Sequence, residues 1–174
     1  MKVMIQLLVS VVLLAPVSGM AQGESPIPPE ATVKQIMNDF VRPAADVLWG
    51  ATAVYITEAG EDDRSPKNDE EWEAVDQSRI AMEHAIEALL VPGRKVDAAD
   101  APVTSAEDLN PAEIEALIGK EPDIWAEKLQ ALGESMKHSQ KAIEDQDVES
   151  LTEIGGEIDD ACESCHQHFW YPET

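Results

Sequence analysis

Apolar residues recur at three- and four-residue spacing through four long stretches of this chain, and no other feature narrows the fold as far. The first stretch follows Thr32, which caps it. It carries Val33, Ile36, Met37, Phe40, Ala44, Val47, Leu48, Ala51, Val54 and Tyr55, the spacing of one helical face. Pro43 lies inside it and predicts a kink, because proline lacks an amide donor and crowds the preceding turn. The second helix starts at Asn68 or Asp69 with acids in its first turn, presents Trp72, Val75, Met82, Ile86 and Leu89, and ends at "VPGRK". The third opens at Pro122 and presents Trp125, Leu129, Leu132, Met136 and Ile143. The fourth is capped by Asp147 and carries Val148, Leu151, Ile154, Ile158, Ala161 or Cys162, Cys165 and Phe169. Each stripe must be buried against another. An all-α fold, an antiparallel four-helix bundle, is therefore expected.

Between these stretches the sequence reads as connection. "TEAGEDDRSPKN" is rich in Gly, Pro and charge and is expected to be a loop. The longer connection Val91 to Glu121 predicts one short helix at "NPAEIEALIG": Asn110 caps it, Pro111 takes its first position and Gly119 stops it. The "EDQD" break between the third and fourth helices is short enough to make them antiparallel neighbours.

The N-terminus has another character. Lys2 precedes an uncharged apolar run, "VMIQLLVSVVLLAPVSG", followed by small residues. This is the pattern of an export signal, with cleavage expected after Ala21. Residues 1–21 are thus read as a signal peptide and 22–174 as a single domain in the periplasm, with no membrane anchor after cleavage. The chain holds 35 acidic against 12 basic residues, a net charge of −23, and loss of Lys2 takes it to −24. Such a charge argues against nucleic acid and anionic lipid as partners and favours either a protein partner with a basic docking surface or simply a well-solvated, highly soluble surface. No nucleophile–base pair stands out from the acidic background, so no catalyst is expected.

The only cysteines are Cys162 and Cys165, and His166 follows directly. A redox dithiol of this spacing belongs in a βαβ setting, which is absent here. A disulfide at i and i+3 within a helix has poor geometry. Zinc held by Cys162, Cys165, His166 and His168 has suitable donor types, but they are crowded along one helix. The remaining reading is covalent haem c, for which C-x-x-C-H is the attachment motif. On a helix, residues at i, i+3 and i+4 project from about one face, so two thiols and an imidazole can serve one group. Export, helical context and the lack of other cysteines favour haem.

With these features the chain resembles class II cytochromes c, the cytochrome c′ family, over essentially its whole mature length. "CESCHQHF" is similar to that family's C-x-x-C-H-x-x-F. The resemblance implies one covalent haem c held by thioethers to Cys162 and Cys165, with His166 as the proximal iron ligand. The basic residue usual after the Phe is replaced here by Trp170, and the connection from Val91 to Glu121 is longer than the family pattern.

The resemblance also points to the opposite axial position. Low-spin members carry a Met after a basic-Gln pair early in the first helix; Lys34-Gln35-Ile36-Met37 is similar, and Met37 is the candidate distal ligand. Met37 also reads as core filler. With Met37 bound, one-electron transfer to a redox partner protein is the expected function. An open distal face, lined by Phe40 and Trp49, would instead suit NO or CO. A zinc-binding helical interaction protein is the third reading. Asp159, Asp160 and Glu163 near the motif would favour the ferric state. His84, His138 and His168 are expected at the surface. The resembled family also allows a homodimer.

Overall fold

The computed structural model describes residues 26–103 and 105–172. The expected signal peptide and its cleavage site lie outside these residues.

The described chain is mostly helical, with one small antiparallel sheet. Thr32 caps α1 (Val33–Ile36) with a capping box: its hydroxyl accepts from the Gln35 amide, and the Gln35 side chain accepts from the Thr32 amide. Such reciprocal bonds satisfy amides that would otherwise be orphaned at a helix start. A π-helical turn, Met37–Val41, follows, and α2 (Arg42–Gly50) continues the same rod. The kink expected at Pro43 is thus met by a π-turn just upstream. Proline offers no amide to the carbonyl four residues back and its ring crowds that carbonyl. The turn widens there, and the Arg42 amide donates to the Met37 carbonyl, five residues back.

The π-turn also solves a phase problem. Apolar positions in this rod repeat every four residues, Val33-Met37-Val41-Ala45 and Ile36-Phe40-Ala44-Leu48. At about 100° per residue, an uninterrupted α-helix would rotate Leu48 roughly 120° away from Ile36. A turn holding one extra residue removes most of that drift. Val33, Ile36, Val41, Ala44, Ala45 and Leu48 are accordingly all buried.

The first helix stops sooner than its sequence pattern implied. Ala51, Val54 and Tyr55 are not helical: α2 ends at Gly50, and β1 (Val54–Thr57) pairs with β2 (Gly60–Asp63). Part of the stretch expected to be a loop is therefore a hairpin. Its β-branched and aromatic residues suit a strand, and Gly60, at φ +120°, supplies the turn conformation. Val54, Tyr55 and Ile56 are exposed, so burial does not hold them to a helix.

Helix α3 (Asp69–Leu89) starts at its Asn68 cap, with three acids in its first turn. Helix α4 (Pro111–Lys120) has Asn110 in a capping box and runs one residue past Gly119. Helix α5 (Pro122–Glu144) begins two residues later. Residues 145–147 turn the chain into α6 (Val148–Phe169). In that turn the Asp147 amide donates to Ala142 and the Gln146 amide to Ile143, with Gln146 in the left-handed region at φ 53°. This is a Schellman ending, formed here without glycine.

The α1–α2 rod packs on α3 and α6, α3 on α5, and α5 on α6. The core between them holds Ile36, Leu48, Met82, Leu89, Met136, Leu151 and Ile158, each at most 2% exposed. Burial of one such side chain contributes roughly 1.5–3 kcal/mol. Two tryptophans tie helices together. The Trp125 indole donates to the Leu89 carbonyl at the end of α3 (3.0 Å), and Trp49 donates to the Gly155 carbonyl within α6 (3.0 Å). A Cβ at Gly155 would lie 3.4 Å from the Trp49 ring, in van der Waals contact with it.

Candidate functional site

Cys162, Cys165 and His166 lie in the last two turns of α6 and line one cavity of about 460 Å³. That volume is in the range of small-molecule and cofactor sites. Met37 lines the same cavity from the π-turn, so two segments more than a hundred residues apart meet there. Trp125 and Phe169, edge to face at 5.2 Å, form another part of the wall. Trp49 lines the cavity as expected; Phe40 does not, but packs half-buried against the core. In the four-residue repeat, Phe40 belongs with Ile36 and Ala44, whereas Met37 belongs with Val41 and Ala45.

A wall absent from the sequence reading comes from the long connection. Val96, Pro102, Val103, Leu109, Pro111 and Ile114 all line the cavity. This connection is fastened at both ends. The Val33 and Lys34 amides donate to Lys95 and Val96 (2.8 and 3.0 Å), and the Leu109 amide donates to Trp170 (2.8 Å). Lys34 pairs with Asp97 at 2.6 Å, and Glu115 of α4 accepts from Lys95 and from the Val96 amide.

Both cysteines are free thiols. Burial, helped by Asp159, pushes the Cys162 thiol up to about 11. Burial, with Cys162 adding to it and Lys128 opposing it, pushes Cys165 up to about 12. A reactive dithiol requires the opposite, a stabilised thiolate. Burial also lowers His166 below the ordinary histidine value, with Glu163 partly opposing. The imidazole is therefore neutral near pH 7, with a lone pair to offer. Its ring stands edge-on to Trp170 at 5.4 Å, and the His166 carbonyl accepts from the Trp170 and Tyr171 amides. The Tyr171 hydroxyl closes the loop by donating to Glu163 at 2.7 Å.

The other histidines point elsewhere. His168, expected at the surface, is half-buried and bonded to Glu121 at 2.8 Å, on the junction between α4 and α5. His84 is also half-buried, and His138 is exposed and paired with Glu157. Asp159 and Asp160 are exposed near the motif. Among the described residues no three His, Cys, Asp or Glu side chains converge on one point.

The donor set fits a haem. A porphyrin brings four nitrogens of its own, so it asks the protein for one or two axial donors and an apolar slot. A neutral imidazole, a thioether and two thiols on an apolar wall meet that need. A protein-only zinc site needs three or four converging ligands. Comparison with known proteins gives no matching family model, no matching curated protein and no matching solved structure.

Proposed function

We propose that this chain is an exported, periplasmic c-type haem protein that transfers single electrons, built as an antiparallel four-helix bundle of the cytochrome c′ type. One observation carries the reading: Cys162, Cys165 and His166 on α6 line the same apolar cavity as Met37 on the first helical rod. The ring of helix contacts, each long segment packed on two others, supports the bundle.

Cys162 and Cys165 would hold the haem by thioethers, and His166 and Met37 would bind its iron. Bound there, the haem supplies one reversible ferric/ferrous couple. The rest is the work of the chain. His166 presents a neutral imidazole whose ring is steadied by Trp170. With haem bound, the Met37 thioether would favour the reduced state and the acidic residues around the motif would favour the oxidised one. Trp125, Phe169 and Ile114 give the cavity an apolar wall. Trp49 and Trp170, each 36% exposed, reach from the cavity wall to solvent. A partner with a basic surface would be drawn to a mature protein of charge −24, one Lys fewer than the full chain at −23, and that attraction weakens as salt rises.

The test is a pair of optical spectra, oxidised and reduced, of protein matured with haem, for the native chain and for Met37→Ala. The expected native spectrum is low-spin, and Met37→Ala becomes high-spin and binds CO. Identical spectra for the two proteins would make Met37 a core residue and remove the support for electron transfer.

A further inference from the structure

Eleven of the twelve Lys and Arg residues fall among the described residues. Ten of them hold a partner: Lys34, Arg64, Lys67, Arg79, Lys95, Lys120, Lys137 and Lys141 pair with carboxylates, Arg94 with backbone carbonyls, and Lys128 with Ser164. The Arg42 guanidinium takes no partner among the described residues. In a chain with 35 acids, an unpaired guanidinium is conspicuous, and its location is specific: Arg42 lines the cavity that holds Met37 and His166. The other cation on that wall, Lys34, is already engaged by Asp97 at 2.6 Å.

The backbone explains how Arg42 comes to be there. In an uninterrupted α-helix, residues five apart point roughly 140° from each other, so Met37 and Arg42 would face different sides. The π-turn spans this interval, and its bond runs from the Arg42 amide to the Met37 carbonyl. An i to i+5 bond brings those two residues onto nearly one face, and single π-turns are frequent at functional sites. An apolar cavity with one uncommitted guanidinium on its wall suits a ligand with an apolar body and a carboxylate at its edge.

We propose that Arg42 is a carboxylate anchor, holding a propionate of the haem seated in this cavity, and that the π-turn serves to put this anchor and Met37 on one wall. The proposal rests on the haem reading above. A guanidinium–carboxylate contact is charge-assisted and directional, so it would fix which edge of the porphyrin faces outward before any thioether forms.

The test uses the full-length mature chain carrying Cys162→Ala and Cys165→Ala, so that binding is reversible. Its affinity for haemin is compared with that for haemin dimethyl ester, whose propionates are neutral. The same pair of ligands is then measured with Arg42→Gln, Arg42→Lys and Arg64→Gln added. Arg64→Gln removes the same charge on the hairpin, away from the cavity. The chain with Arg42 should prefer haemin over its ester by about tenfold. Arg42→Gln should bind the two alike, Arg42→Lys should keep part of the preference, and Arg64→Gln should keep all of it. An equal preference in Arg42→Gln and Arg64→Gln overturns the anchor while leaving the haem reading intact. Failure to bind either porphyrin overturns the haem reading, and the anchor with it.

Discussion

Replacing Trp125 with Phe tests how the cavity wall is fastened to the rest of the fold. Trp125 is 8% exposed, donates to the Leu89 carbonyl at 3.0 Å and meets Phe169 edge to face at 5.2 Å. Phe keeps an aromatic ring against Phe169, a contact worth about 0.5–1.5 kcal/mol, but has no donor. The Leu89 carbonyl, in the last turn of α3, then loses its indole partner, a loss of about 1–3 kcal/mol for a buried group. The smaller ring also gives up some tens of Å² of buried apolar surface, about 1 kcal/mol. The sum predicts a destabilisation of about 2–4 kcal/mol. Urea unfolding followed by far-UV circular dichroism reads this as a lower midpoint at unchanged slope. A change below about 0.5 kcal/mol would refute the claim that this bond joins α5 to the end of α3. Trp125→Leu, which loses the ring contact as well, should fall further.

Two more outcomes follow from the backbone and the charges. Deleting Asp39, exposed within the π-turn, should leave a regular α-helix with both flanks still in phase, and hence a folded protein by circular dichroism. Deleting Glu83 from α3 should unfold the protein, because every later residue of that helix rotates about 100°; equal tolerance of the two deletions would contradict the phase argument. The carboxyls of Asp97 and Glu115 are held below the ordinary range, chiefly by hydrogen bonds from Lys34 and Lys95. The stability they add is therefore present above about pH 4 and lost as pH falls through their lowered values. Asp97→Asn with Glu115→Gln should lose less stability than the native chain between pH 5 and 3, and parallel acid titrations would contradict this.

Much of the architecture is legible in local sequence because helix ends are chemically marked. Thr32, Asn68, Asn110 and Asp147 are all caps in the structure, and each stands before an apolar stripe. The π-turn was legible too, in a repeat of four residues where an α-helix wants 3.6, but Pro43 draws attention to a kink instead. The hairpin is harder to see. Its strands are exposed, so they lack the alternation that burial imposes on a strand, and only the β-branched run and Gly60 mark it. Periodicity puts Cys162, Cys165 and His166 on one face and Met37 on the inner side of its helix. It cannot say that these faces meet, nor that His168 finds Glu121, because such contacts depend on how whole helices dock. The wall from Val96 to Ile114 was missed for the same reason: its residues have no period of their own and gain a role only where the connection is pinned to α1 and to Trp170.

The central claim is that a haem is covalently held on α6. The most direct measurement is the intact mass of the protein recovered from a periplasm that contains haem-maturation machinery, with peptide mapping of the attachment site. The expected result is a mass raised by one haem, carried on the peptide that contains Cys162, Cys165 and His166, and no thiol left to alkylate. An unmodified mass with two free thiols, obtained from cells that mature another c-type cytochrome in the same culture, would contradict it.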